Sequence, residues 1–439
     1  MASQHNRMEL SAGGLRCAAV SDIGMRRSSN QDSMAIALAD SATQWRSHGH
    51  LLVVADGMGA HAAGELASKL ATDTIAHSYH KRPEDAPSEA LLEAVREANS
   101  VINAKGQDSV DFQGMGTTCS CLLLLPGGAV VAHVGDSRVY RLRGNSFDQI
   151  TFDHSLVWEM AAAGHATEEE VPAYVPKNVI TRSLGPHPTV SVDLEGPFPL
   201  QSGDRFLLCS DGLTGPLKPE LIGLVLASLP PNEATQSLVD LANLRGGPDN
   251  ITVLVADVVD PSQLGNGDSA STHVPAESTP RPSSIGWQAS CANVMLGFGA
   301  LGGLALALSN YPMAGVVCAA VGVLIWLIER LVLRSTRETA RPAGPISQRG
   351  TAPYRHHQCT PSATNIEPLN DIVRQLEDLE SERDCNFDWQ PIHADRLHAH
   401  QALARGAYQE AVVAFCSAVR RLMQALREQD PQPPSDSSI

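Results

Sequence analysis

Four aspartates sit where short apolar runs stop or start. The run LLVVA (51–55) ends at Asp56-Gly57, RFLLC (205–209) ends at Ser210-Asp211-Gly212, and VVAHV (130–134) ends at Gly135-Asp136-Ser137. The fourth case is reversed, with Gly246-Gly247-Pro248-Asp249-Asn250 leading into ITVLV (251–255). Short apolar runs bounded by turn residues predict buried strands, and Val139–Leu142 is expected to return as the hairpin partner of 130–134. An acid at a strand end, beside a glycine, projects its carboxylate past the sheet edge, where backbone can approach a ligand closely. A single Asp-Gly is an ordinary turn. Four such acids converging on the rims of one sheet repel one another, and a hard divalent cation resolves that repulsion. Oxygen donors without clustered His or Cys favour Mg2+ or Mn2+ over Zn2+. Taken alone, these residues predict a two-metal oxygen site in an α/β domain. They name no reaction.

The elements that must position these acids occupy the first part of a 439-residue chain. Up to about residue 260, short apolar runs, turn signals and helical stretches alternate. Residues 261–286 are rich in Pro, Ser, Thr and Gly and read as a linker. From Pro282 to Ile328, 47 residues pass without an Asp, Glu, Lys or Arg. A single helix of that length would rise about 70 Å, over twice the hydrocarbon core of a bilayer. The expectation is therefore a transmembrane helical hairpin over 287–328, broken at Ser309-Asn310-Tyr311-Pro312. Arg281 precedes it and Arg330, Arg334, Arg337 and Arg341 follow, which places both flanking regions in the cytoplasm and the protein at the inner (cytoplasmic) membrane. A second linker is expected at 329–366. Residues 367–430 read as a helical C-terminal segment, turning at Arg405-Gly406 and resembling half of a tetratricopeptide repeat.

Composition narrows the function classes. With 43% hydrophobic and 18% charged residues the chain can bury a sizeable core, built mainly from aliphatic side chains because aromatics are only 4%. A net charge of -16 excludes a nucleic-acid binder, which needs a cationic face. The same acidity repels anionic substrates, so phosphate chemistry here needs local positive charge from metal or arginine. The nine cysteines are scattered, apart from Cys119 and Cys121 on one strand, and read as buried, reduced thiols. No cleavable signal peptide is evident at the N-terminus.

The segments SDIGMRRSSNQDS, VVADGMGAHAAGELAS, GMGTTC, VAHVGDSRVYRL, ITRSLG, LCSDGL and GGPDNIT follow one another in that order between residues 15 and 257. In this order they resemble the bacterial branch of the PPM (type 2C) metal-dependent Ser/Thr protein phosphatases. The resemblance covers residues 10–260 and implies an antiparallel β-sandwich flanked by helix pairs, with the metals at one end. It also implies that Asp56 bridges two metal ions, Mn2+ or Mg2+, with the Gly57 carbonyl on the first and Asp211 and Asp249 on the second. Asp136 matches the position that, with Asp211, holds a third, weaker metal. Arg27, in the pattern GxxRxxNxD, matches the arginine that clamps the substrate phosphate, and Asp32 matches an acid behind the metal ligands.

The implied reaction is hydrolysis of phosphoserine and phosphothreonine in proteins by a water activated between two metals, with no enzyme nucleophile. It would reverse the work of a cognate Ser/Thr kinase. His61, after DGMGA, is a candidate to protonate the leaving alkoxide. Gln31 stands where many relatives have Glu and Ala60 where Gly is usual. Neither change removes a metal ligand. Residues 150–186 match the flap beside the cleft, where substrate preference is expected. An alternative reading is a catalytically silent module that binds phosphoproteins through the same pocket, which retention of every ligand acid argues against. A dedicated regulator of the sporulation phosphatase type is a third, disfavoured by the intact Arg-xx-Asn-x-Asp segment.

Overall fold

Two antiparallel sheets stack on a shared apolar core, as the alternation of buried runs and turns requires. The structure, a computed structural model, describes residues 6–60, 62–82, 85–163, 179–264, 350–382 and 388–429. All of these fall in one unit of the chain, formed by residues 1–268 together with 347–439. The larger sheet runs in the order β1 (Asn6–Ala12), β2 (Leu15–Asp22), β12 (Ile251–Val258), β11 (Arg205–Cys209), β8 (Arg138–Arg143), β9 (Ser146–Gln149) and β13 (Arg355–Gln358). The smaller runs β10 (Asp193–Phe198), β7 (Gly128–Val134), β6 (Cys119–Leu125), β4 (His50–Met58) and β3 (Asp32–Ala37), with β5 (Gly116–Thr117) pairing β4 off that path.

Leu52 and Val54 of β4, Leu122 and Leu124 of β6, and Phe206, Leu208 and Leu254 of the facing sheet meet in the core between the sheets. Both faces of β4 and β6 are buried, because helices cover the outer side of the smaller sheet. Those helices are α2 (Ala63–His80) and α3 (Pro87–Asp108). In α2, Ala63, Ala67, Ala71 and Ile75 recur every fourth residue, and these mostly small side chains let the helix lie close on the strands. The short helices α1 (Ala42–His48), α4 (Leu156–Ala162) and α5 (Asp211–Thr214) sit in connections.

The outer face of the larger sheet packs on α6 (Pro219–Ser228) and α7 (Pro231–Leu244), each opening on a proline that suits a first helical turn. The same apolar cluster takes in residues far along the chain: Cys359, Ile366, Leu369, Phe415, Val419 and Met423. Cys359 follows β13 directly, Ile366 and Leu369 belong to α8 (Ala363–Glu382), and Phe415, Val419 and Met423 belong to α10 (Tyr408–Gln429), while α9 (Gln390–Ala404) adds Ala399 and Ala402 to the cluster. Gly406, between α9 and α10, has φ +73, the left-handed conformation expected of a helix-ending glycine.

Two expectations are corrected. Val139–Leu142 is not the hairpin partner of 130–134. The strand β7 pairs with β6 and β10, whereas β8 pairs with β11 and β9, so the chain crosses from one sheet to the other at Gly135-Asp136-Ser137. Gly135 has φ +111, which redirects the backbone there. The stretch 329–366 is not wholly a linker: Arg355–Gln358 adds an edge strand to β9, and α8 begins at Ala363. The hairpin expected over 287–328 lies outside the described residues. Among the described residues no helix is long and apolar enough to cross a membrane.

Candidate active site

The carboxylates converge because strands of both sheets end on one rim. Asp56 and Gly57 close β4, and Asp32 opens β3 directly opposite Asp56 in the antiparallel register. Asp211 follows β11, Asp249 precedes β12, and Asp136 lies at the crossing between the sheets.

The backbone around Asp56 is tied at several points. The Thr118 amide donates to the Asp56 carbonyl (2.8 Å), as does the Thr117 hydroxyl (2.9 Å), and the Asp56 amide donates to Thr118 Oγ1 (2.9 Å). The Gly57 amide donates to the Gln31 carbonyl at 3.1 Å. A Cβ on Gly57 would sit 2.0 Å from the Gly64 carbonyl oxygen, so only glycine lets the start of α2 approach this closely.

The segment carrying Arg27 is fastened to the segment carrying Asp249. Asn250 donates from Nδ2 to the carbonyls of Ile23 (2.8 Å) and Ser29 (2.9 Å) and accepts the Gln31 amide on Oδ1 (2.8 Å). Gly24 has φ +79, and a Cβ there would meet the Asp249 carbonyl oxygen at 2.2 Å. Arg27 Nη2 then reaches Asp249 Oδ2 at 2.6 Å. Asp32 lies behind these groups, its Oδ2 accepting the hydroxyls of Ser210 and Thr252, each at 2.7 Å.

The electrostatics are those of an uncompensated acid cluster. Burial first, then the charges of Asp32, Asp211, Asp136 and Asp249, raise the Asp56 carboxyl well above the usual range. Burial and neighbouring carboxylates push Asp32 and Asp136 up to about 7. The same causes raise Asp211, which also shares a hydrogen bond with Asp56. Asp32 Oδ1, Asp136 Oδ1 and Asp211 Oδ1 are buried without a hydrogen-bond partner. A buried acceptor without a donor costs roughly 1–3 kcal/mol.

These orphaned oxygens, converging from several strand ends with no His or Cys among them, fit hard divalent cations. Among the described residues no group of three or more His, Cys, Asp or Glu side chains is disposed to hold a metal ion as the side chains stand. Asp249 is turned towards Arg27 instead, so a cation bound there would compete with the guanidinium for the same carboxylate.

Asp56, Gly57, Asp136, Asp211, Asp249, Arg27 and Asp32 are thus placed on one rim, while His61 lies outside the described residues, as do 164–178 of the flap. Sequence reasoning passed over Thr118, Ser210, Asn250 and Thr252. Asn250 and Ser210 stand beside Asp249 and Asp211 in the chain, and that adjacency was the signal available for them.

A family profile described as protein phosphatase 2C matches residues 25–243. The serine/threonine protein phosphatase PstP of Mycobacterium tuberculosis is 39% identical over 249 residues, which are 56% of this chain and 45% of PstP. The protein phosphatase PhpP of Streptococcus pneumoniae is 36% identical over 243 residues, 54% of this chain and 96% of PhpP. The chain thus spans about half the length of PstP and nearly all of PhpP. The crystal structure of the M. tuberculosis phosphatase PstP/Ppp aligns with a TM-score of 0.50 at 39% identity, covering 56% of this chain and 99% of that one.

Proposed function

The chain belongs to the protein phosphatase 2C family, and on that footing we propose that it hydrolyses phosphoserine and phosphothreonine in proteins, reversing Ser/Thr kinase signalling at a membrane. The observation that carries the reading is the convergence of Asp56, Asp211 and Asp249 on one rim with Arg27 hydrogen-bonded at its edge.

Asp56, the Gly57 carbonyl, Asp211 and Asp249 would hold two Mn2+ or Mg2+ ions, and Asp136 with Asp211 a third. Bound there, such ions supply electrophilic activation of the phosphate and acidification of water. Asp32 holds Ser210 and Thr252 by hydrogen bonds and so fixes the ends of β11 and β12 relative to β3. Arg27 is half exposed at the edge of the cluster, where its guanidinium can turn from Asp249 to phosphate oxygens and orient them. A phosphomonoester needs a proton for its leaving alkoxide, and His61 is proposed as the donor.

The test is hydrolysis of a phosphothreonine peptide by the full chain, with and without Mn2+, for wild type, Asp56→Ala and Asp249→Ala. Turnover that needs Mn2+ and collapses in both variants is the expected result. A folded wild type that binds the peptide but turns over nothing with any divalent metal would favour the silent binding module instead. The membrane location rests on the charge-free run 282–328 with its following arginines. Alkaline carbonate extraction should leave the chain in the membrane pellet, and release into the soluble fraction would remove that part of the proposal.

A further inference from the structure

We propose that the C-terminal helix α10 acts as a brace on α7 and thereby positions the two loops that carry Asp249 and Arg27. The brace comes from residues beyond the 25–243 segment that the family shares. It touches α7 along its length. Near the start of α7, Arg420 reaches Glu233 at 2.7 Å. One helical turn before its end, Asp240 is fully buried, and its Oδ1 meets Arg427 Nη2 at 2.5 Å and Gln236 Nε2 at 3.0 Å. A carboxylate held out of water needs a compensating cation. Here α10 provides one. At the end of α7, Leu244 packs on Ile392, Ala418 and Leu422.

The same end of α7 is wired to the site. Asn243 Nδ2 donates to Asp22 Oδ1 (3.1 Å), which also accepts the Gly24 amide (2.7 Å). The Gly247 amide donates to the Ala242 carbonyl (3.1 Å), and the Met25 amide to the Gly247 carbonyl (2.9 Å). Two residues further on either side, Arg27 meets Asp249. A helix end held by Arg427 and Leu422 therefore holds both active-site loops in register. Loosening it lets the Gly246–Asp249 segment, with Gly246 and Gly247 both at positive φ, sample other conformations.

The experiment compares wild type with Arg427→Ala and Arg427→Lys in the full chain. It reads amide hydrogen exchange at Met25 and Gly247 without metal, and Mn2+ affinity by titration calorimetry. Arg427→Ala is expected to speed exchange at those two amides and weaken Mn2+ binding by about 3- to 30-fold each, with Arg427→Lys recovering most of both. Arg420→Ala, which removes the ion pair at the far end of α7, is expected to leave both readouts near wild type. Should Arg427→Ala fail to fold, Leu422→Val trims the contact beside Leu244 and leaves the ion pair in place, with the same expectation. Faster exchange confined to α10, with Met25, Gly247 and Mn2+ affinity unchanged, would overturn the proposal and leave the tail a stability element. So would an equal response to Arg420→Ala. Only the Mn2+ arm rests on the proposed function. If wild type binds no Mn2+, the metal site falls while the exchange arm still decides the brace.

Discussion

Arg27 Nη2 lies 2.6 Å from Asp249 Oδ2, so the arginine proposed to clamp phosphate is hydrogen-bonded to an acid proposed to hold metal. The two roles compete for one carboxylate. Substrate and cation binding should therefore favour each other, because a cation on Asp249 frees the guanidinium. Arg27→Ala is expected to lower kcat/KM on a phosphothreonine peptide by about 10- to 150-fold, the worth of a charged hydrogen bond of roughly 1.5–3 kcal/mol. The Mn2+ concentration for half activity should not rise, since a competitor for Asp249 has been removed. A rise in that concentration would show that Arg27 supports the metal site rather than opposing it.

The acid cluster predicts an opposition between stability and metal binding. Asp136 is nearly buried and carries an orphaned Oδ1 among like charges. Asp136→Asn should raise the melting temperature in EDTA by a few degrees, corresponding to about 1 kcal/mol. In saturating Mn2+, wild type should gain about 2.7 kcal/mol at one hundred times the dissociation constant, and the variant less. Thermal unfolding with and without EDTA measures both. Equal metal-induced shifts in the two proteins would take Asp136 out of the metal site.

Acid should weaken the fold through His133, well before the ordinary carboxylates titrate. This buried imidazole faces the carbonyls of Gly135 (2.9 Å) and Phe152 (3.0 Å) from Nε2, with Nδ1 at 2.9 Å from the Ser120 hydroxyl. Burial, then the nearby His154, pushes its pKa down to about 3 from 6.5. The unfolded chain therefore binds more protons than the folded one between these values. Stability from this residue is complete above pH 6.5 and is lost as pH falls towards 3, at up to about 1.4 kcal/mol per pH unit. Denaturant midpoints from pH 7 to 4 should show the slope in wild type and a flatter one in His133→Gln. An undiminished slope in the variant would assign the protons elsewhere.

The tail should unfold with the two-sheet core and not before it. Phe415 is fully buried in the same cluster as Leu221, Val225 and Val239 of α6 and α7. Phe415→Ala is expected to cost about 3–5 kcal/mol, appearing in calorimetry as one transition at lower temperature. Two separated transitions, with the upper one unmoved, would make the tail an independent domain.

Much of the site was legible because its signals are local. A carboxylate must follow an apolar strand and sit beside glycine, and Asp56-Gly57, Asp211-Gly212 and Gly135-Asp136 show this within a few residues. The sheet assignment of β8 was not legible, because a hairpin and a crossing between sheets begin with the same Gly-Asp-Ser turn. Only the pairing of β8 with β11, more than 60 residues later, separates them. The strand Arg355–Gln358 was hidden for a similar reason. RHHQ has no apolar alternation, and it is a strand because β9 leaves an edge for it and His356 and His357 find Asp148 and Glu220.

By itself the sequence determined which acids end which strands, that no His or Cys accompanies them, and that helical periodicity resumes after residue 367. Those properties follow from neighbours within a turn or a strand, where side-chain type and backbone preference act directly. The tertiary structure alone decided that Arg27 meets Asp249, 222 positions further along the chain, and that Asp240 is buried beneath Arg427. It also decided that α10 belongs to the same core as α7. A carboxylate on an amphipathic helix reads as solvent-facing until a distant segment covers it. Burial and charge pairing are properties of chain closure in space, which no local pattern carries.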